Sequence, residues 1–253
     1  MKEFVDKVIN SSNEKVHIFS LGQAGFLIKN KKGQLLAIDP YLSDCVERVE
    51  PDHVGYKRLL PKILNDKELV LDVLICTHFH RDHYDMDAVP NLMANDKTFL
   101  LCPADCIDDI HNSKLQRYEI VKPSESKTIG GFVVHFVNCD HGQGAPLAVG
   151  VIVEVDGLRI LEVGDTCLRL DRKDEYLSYG KIDVMIAPIN GKYGNLDEVD
   201  FIKLADALNP KLCIPCHYGM FTAHGGNLNK FYEDINATHH KFAIMAQGED
   251  LSL

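Results

Sequence analysis

Apolar and polar positions alternate over residues 15–22, an apolar stretch follows over 24–30, and Lys31-Lys32-Gly33 interrupts the pattern before the apolar run 35–38. Period-two alternation broken by turn residues predicts strands joined as a hairpin. Asp39-Pro40 ends that unit, and residues 41–61 show no clear period, as expected of a loop or short helix lying over one edge. Residues 69–77 are almost continuously apolar, which suits a strand buried on both faces. A short helix is expected over 85–94, a strand over 98–102 and another short helix over 104–110. Val121 leads into a polar stretch, and a Gly130-Gly131 turn precedes an alternating strand over 132–138. The runs 147–155 and 158–163 flank Asp156-Gly157, which favours a type I′ turn because both central residues take positive φ. A strand over 182–189, a helix over 196–208 stopped by Asn209-Pro210, a strand over 212–216 and a C-terminal strand over 241–246 complete the pattern. No linker or low-complexity stretch divides the chain. Hairpins followed by βα units in each half predict an α/β fold: two mixed β-sheets packed face to face with helices on the outer faces, a four-layer sandwich in one domain over 1–253.

Composition narrows the class without changing this picture. The 253 residues are 45% hydrophobic and 25% charged, with 18 Gly and 10 Pro, which excludes disorder, collagen-like repeats and coiled coil. A net charge of −10 disfavours nucleic acid and anionic lipid as partners. The apolar runs reach about half the ~20 residues that span a bilayer, and the first residues carry no apolar signal region, so a cytoplasmic protein without a membrane partner is expected. Eight scattered cysteines predict no disulfide framework. Cys213-Ile-Pro-Cys216 ends a strand-like run, whereas redox C-x-x-C pairs open a helix.

The chemistry concentrates in Thr77-His78-Phe79-His80-Arg81-Asp82-His83, an H-x-H-x-D-H pattern directly after the buried run. Residues two apart in extended chain share a face, so His78 and His80 can point at one cation while the turn directs Asp82 and His83 at a second. Three imidazoles and a carboxylate this close together are costly to desolvate without a cation. His141, Asp165 and His217 each follow a separate predicted strand, and strand ends in α/β proteins are where site residues converge.

On these residues the chain resembles the metallo-β-lactamase-fold superfamily of metal-dependent hydrolases over essentially its whole length. The resemblance implies that His78, His80 and His141 bind one metal, that Asp82, His83 and His217 bind another, and that Asp165 bridges them. Leu21-Gly22-Gln23-Ala24-Gly25-Phe26, Ile38-Asp39-Pro40-Tyr41-Leu42-Ser43-Asp44 and Ala207-Leu208-Asn209-Pro210-Lys211 resemble the L-ascorbate-6-phosphate lactonase-like branch. Two divalent ions are implied, zinc first and manganese next, with iron also suited to imidazole and carboxylate donors. The expected reaction is hydrolysis of a small anionic ester, a phosphorylated sugar lactone above all, by a metal-bridging hydroxide that Asp82 and Asp165 orient.

The leaving alkoxide needs a proton, and Tyr193, Tyr218 and His224, in glycine-containing loops after predicted strands, are the candidate donors; a packing or surface role is the competing reading of each. Asp39 either hydrogen-bonds a ligand histidine or forms an Asp-Pro turn. Arg81, Arg169 and Lys192 are candidate partners for an anionic substrate. His17, His53, His111, His135, His239 and His240 lack a ligand context. Two other readings compete: a phosphodiesterase or nuclease on the same fold, and a non-catalytic metal-binding regulatory protein. Homo-oligomers are common among such enzymes.

Overall fold

The computed structural model describes residues 2–52, 54–65 and 67–253. One sheet contains β1 (His17–Gly22), β2 (Gly25–Lys29), β3 (Leu35–Ile38), β4 (Val73–Ile75), β5 (Phe99–Cys102) and β6 (Tyr118–Ile120). The other contains β7 (Ser126–Ile129), β8 (Phe132–Asn138), β9 (Val149–Val155), β10 (Leu158–Glu162), β11 (Val184–Pro188) and β12 (Leu212–Cys216). The last strand, β13 (Asp250–Ser252), returns to the first sheet, so the orders are β13-β1-β2-β3-β4-β5-β6 and β12-β11-β10-β9-β8-β7. Strands β3 to β6 are parallel, as are β10 to β12; the other pairs are antiparallel.

Strand periodicity explains how each sheet buries both faces. Between the sheets, Ile18, Phe26, Ile38 and Ile75 meet Phe136, Val151, Ile186 and Ile214. The outer face of the first sheet, with Phe19, Leu27 and Leu74, is covered by α1 (Lys2–Asn10), α3 (Ala88–Leu92) and α4 (Ile107–Asn112), while α2 (Cys45–Val49) lies beyond the end of β3. The outer face of the second, with Ile152, Leu161 and Met185, is covered by α5 (Lys173–Ser178), α6 (Glu198–Leu208) and α7 (Leu228–Asn236). This is the expected four-layer α/β sandwich. Central strands read as unbroken apolar runs because neither face meets water. Among the described residues, no helix is long and apolar enough to cross a membrane.

Local chemistry sets several boundaries. Asp156 and Gly157 take φ of 47° and 86° in the turn joining β9 to β10. Helix α6 begins at Asp197, whose carboxylate accepts from the Asp200 N–H at 2.8 Å, and ends at Asn209 in the left-handed region with φ 47°.

Helices α1, α5 and α7 and strands β6 and β7 are additions to the sequence reading. Helix α1 buries only Phe4, Val5 and Val8, too few positions to establish a helical period. Tertiary contacts fix it instead: the Lys29 ammonium, buried beneath it, donates to the Val8, Ile9 and Ser11 carbonyls at 3.0, 3.2 and 2.8 Å. The strand expected over 241–246 does not form. That segment meets the sheet edge through an isolated bridge between Cys213 and Phe242, because the Tyr218 hydroxyl takes both the Met245 N–H, at 3.1 Å, and its carbonyl, at 2.7 Å. The strand partner of β1 comes later, after a turn at Gly248.

Asp85 ties the loop after β3 to the start of α3. Its fully buried carboxylate accepts from Leu42 N (2.9 Å), Ser43 N (2.6 Å), Ser43 Oγ (2.7 Å), Asp87 N (3.0 Å) and Ala88 N (3.0 Å). Removing one acceptor from several buried donors costs on the order of 3 kcal/mol or more. The Asp85→Ala protein is therefore expected to show a clearly lower urea midpoint with an unchanged slope; an unaltered midpoint refutes this role.

Candidate metal centre

Because β3, β4, β8, β10 and β12 point the same way within their sheets, the loops after their C-terminal ends meet at one edge of the sandwich. Two backbone bonds join the sheets there: Val149 N donates to Thr77 O at 3.0 Å, and His217 N donates to Gln23 O at 2.8 Å. The loops contribute Asp39, residues 77–83, His141, Asp165 and His217. Gly164 lets Asp165 turn inward, since it takes φ +68° and a Cβ at that position would lie 2.9 Å from the Val149 carbonyl.

Two groups of donors form. His80 Nδ1 lies 3.0 Å from His78 Nε2 and 3.1 Å from His141 Nε2. On the other side, Asp82 Oδ2 lies 3.8 Å from His83 Nε2 and 3.4 Å from His217 Nε2. Asp165 Oδ2 stands between the groups, 3.4 Å from His83 Nε2, 3.3 Å from His217 Nε2 and 3.8 Å from His141 Nε2. The ligand atoms of His78, His80 and His141, of Asp82, His83 and His217, and of His78, His83 and Asp165 lie within 4.8 Å of one another in each set.

Metal ions fit these residues on a test internal to the structure. His83 Nε2 and Asp165 Oδ1 are buried beside these groups without a hydrogen-bond partner. Orphaned polar atoms of this kind cost about 1–3 kcal/mol each. The imidazole nitrogens of His78, His80 and His141, facing one another across 3.0 to 3.1 Å, gain most from a shared cation. Asp39 supplies the orientation: His83 Nδ1 donates to its carboxylate at 2.6 Å, which turns Nε2 toward Asp82 and Asp165. Gln23 holds Asp82 from the other side, its amide donating to Asp82 Oδ2 at 2.8 Å.

Protonation divides the histidines. Burial pushes His78 well below the usual imidazole range, His80 to about 4 and His141 downward, so all three are neutral donors at neutral pH. Burial also acts downward on His83 and His217, but the surrounding carboxylates, Asp165 foremost, outweigh it, raising His83 well above its usual value and His217 to about 9. Burial acts upward on Asp82 and Asp165, yet the facing histidines hold both well below the carboxylate range. Behind the centre, Glu162 is 1% exposed with neither carboxylate oxygen bonded, and burial pushes its carboxyl well up.

A pocket of about 780 Å³ opens over the donors, lined also by Val46, Val49, Glu50, Tyr56, Phe79, Arg81, Met86, Tyr193, Phe221 and His224. Two of the expected proton donors reach it: Tyr193 Oη accepts from Tyr56 Oη at 2.8 Å and lies 3.4 Å from His224 Nδ1. Tyr218, also expected as a donor, does not line it: both the Met245 carbonyl and N–H occupy its hydroxyl, at 2.7 and 3.1 Å. Of the expected anion partners, Arg81 lines the pocket but is paired with Asp109 at 2.7 Å. Arg169 is held outside by Asp140 and Asp171 at 2.5 and 2.7 Å, and Lys192 is also absent from the lining. Asp206, His239 and His240 form a separate group on the outer face, where His240 Nε2 is 2.8 Å from Asp206; His53 lies outside the described residues.

Sequence reasoning missed Gln23, Tyr56 and Glu162. No periodic signal marks Gln23, which sits in a turn between Gly22 and Gly25 and takes φ 56°. Asp39, Tyr193, His217 and His224 are also left-handed, with φ of 45°, 55°, 65° and 67°. Such conformations in non-glycine residues collect at functional sites.

A family model described as a beta-lactamase superfamily domain matches residues 17–217. A protein of Polynucleobacter asymbioticus named UPF0173 metal-dependent hydrolase is 26% identical, over 93% of this chain and 85% of its own length. Among solved structures, a metallo hydrolase from Ignicoccus hospitalis superposes with a TM-score of 0.75 at 19% identity, covering 94% of this chain and 98% of that one. A metallo-beta-lactamase fold protein from Bacillus subtilis gives 0.70 at 12% identity, with 94% and 98% covered.

The divided histidines make the metal-free protein's stability depend on pH in two directions. His80, at about 4 in the fold against 6.5 unfolded, adds stability as pH rises through that interval. His217, raised from 6.5 to about 9, gives stability that is complete below 6.5 and lost as pH rises to about 9. Urea midpoints of the metal-free protein are expected to peak near pH 6.5. Metal uptake near neutral pH should release roughly two protons, read from calorimetry in buffers of different ionisation heat. Uptake without release removes His83 and His217 from the ligand set.

Proposed function

The chain belongs to the metallo-β-lactamase superfamily, and from that premise we propose that it is a hydrolase with two divalent ions that opens a small carboxylic ester or lactone. The observation that supports this most directly is the placement of Asp165 between two donor groups, with its second oxygen buried and unpaired. In this reading His78, His80 and His141 hold one ion, Asp82, His83 and His217 the other, and Asp165 both. Zinc, manganese and iron all suit imidazole and carboxylate donors without thiolate. When bound, such ions supply Lewis acidity toward a carbonyl oxygen and lower the pKa of coordinated water to about 7.

The remaining work falls to side chains. Asp39 and Gln23 keep His83 and Asp82 from rotating out of the donor set, through bonds of 2.6 and 2.8 Å. Water's oxygen joins the carbonyl carbon as the carbon–alkoxide bond breaks; of its two protons one is released to solvent as the product carboxylate ionises and the other makes good the proton passed to the alkoxide, giving an alcohol and a carboxylate. In this reading Tyr193, in the pocket lining, gives that proton to the alkoxide. Its oxygen accepts from Tyr56 at 2.8 Å, which leaves its own hydrogen for the substrate, and His224 Nδ1, 3.4 Å away, can restore it.

Protein purified without chelator is expected to contain close to two equivalents of metal per chain by elemental analysis. Asp165→Asn should lose metal and reduce ester turnover by about 100-fold or more. Tyr193→Phe should keep its metal and lose about 10- to 100-fold in kcat with little change in KM. Cleavage of bis-p-nitrophenyl phosphate without ester turnover would reassign the protein as a phosphodiesterase. Two bound metals with no turnover of either would make it a metal-binding regulator.

A further inference from the structure

The pocket over the metal centre is chemically lopsided. Beside the donor set, the lining holds an apolar wall of Val46, Val49, Tyr56, Phe79, Met86 and Phe221. Val49 and Met86 are 42% and 36% exposed, an unfavourable state for apolar side chains beside a cavity of about 780 Å³. The wall is nevertheless fixed from behind. Val46 and Phe221 pack with Tyr41, Cys45 and Met220, and the Phe221 ring centre lies 5.5 Å from that of Tyr41 and 5.7 Å from that of Tyr56. The guanidinium of Arg58 lies 4.8 Å from the Tyr41 ring centre and donates to the carbonyls of Tyr41, Ser43 and Leu60, which stiffens the segment carrying the wall.

Charge gives the second, independent observation. Arg81 is the one Arg or Lys among the described residues lining the pocket, and Asp109 holds its Nη1 at 2.7 Å. Glu50 adds a carboxylate to the same lining. A phosphate or a distal carboxylate on the substrate would meet a guanidinium already partnered through Nη1 by Asp109, and the like charge of Glu50. An uncharged apolar group would displace water from side chains that water solvates poorly.

We propose that the part of the substrate remote from the cleaved bond is uncharged and apolar, an alkyl or aryl acyl group seated against Val46, Val49, Tyr56, Phe79, Met86 and Phe221. This rests on the reading of the centre as an ester-opening hydrolase and replaces the phosphorylated substrate anticipated from sequence. Pockets of 300–1,000 Å³ hold ligands well beyond an acetyl group in size. Each methylene moved from water onto the wall favours the transition state about threefold to fourfold.

Two measurements test it separately from the hydrolase reading. Along p-nitrophenyl acetate, butyrate and hexanoate, kcat/KM is expected to rise by about threefold per methylene, and the singly charged p-nitrophenyl succinate to fall at least tenfold below the butyrate. Val49→Ser should flatten the rise while keeping metal content and urea midpoint. On metal-free protein, hexanamide should shift the methyl NMR signals of Val46, Val49 and Met86, and succinamate should not. Ester turnover with a flat profile, or with preference for the succinate, overturns the apolar assignment and leaves the hydrolase intact. No ester turnover together with the methyl shifts refutes the hydrolase reading and upholds an apolar ligand. Absence of both the shifts and a chain-length dependence overturns the assignment.

Discussion

A single buried carboxylate organises this end of the molecule. Asp39 is shielded completely from solvent, and three donors end on it: Thr77 N–H at 2.7 Å, the Thr77 hydroxyl at 2.6 Å and His83 Nδ1 at 2.6 Å. The distances are those of charge-assisted bonds, and no water competes for the acceptor. Its own N–H donates to the Ile75 carbonyl at 2.9 Å, so the ends of β3 and β4 are fastened by backbone and side chain together. With Thr77 fixed, the direction in which the chain leaves β4 is fixed, and so is the course of residues 78–83.

The sandwich supplies the rest by layering. Apolar residues on both faces of the central strands hold two sheets and two helix layers in register, while the polar residues that follow the strands have no place in those layers and gather at their ends. The bonds from Val149 to Thr77 and from His217 to Gln23 cross between the sheets at that edge. Ligand geometry is therefore a property of how the sheets stack, more than of any one loop.

This explains what sequence could reveal. His78, His80, Asp82 and His83 fall within six residues directly after an apolar run, and His141, Asp165 and His217 each follow such a run, so their convergence could be read from position. Gln23 could not, because a lone polar residue in a short turn carries no periodic signal and acts only through the distant Asp82. Pairing is equally invisible along the chain: Arg81 and Arg169 both lie near site residues in sequence, yet Asp109 and Asp140 neutralise them. Helix α7 buries only Phe231 and Ile235, and a pattern that sparse appears only once the sheet it covers exists. Residues 241–246 have strand-like composition, but the Tyr218 hydroxyl, distant in sequence, decides the matter.

Drawing one centre from separated strand ends also imposes an order of events during synthesis. Residues 78–83 leave the ribosome well before His141, and His217 emerges only after β10, β11 and α6. A nascent chain that has passed His141 carries all three histidines of one donor group in its sequence and lacks the His217 of the other. Because both donor groups depend on how the two sheets stack, the set is complete only once β12 has paired with β11 and His217 N has reached the Gln23 carbonyl.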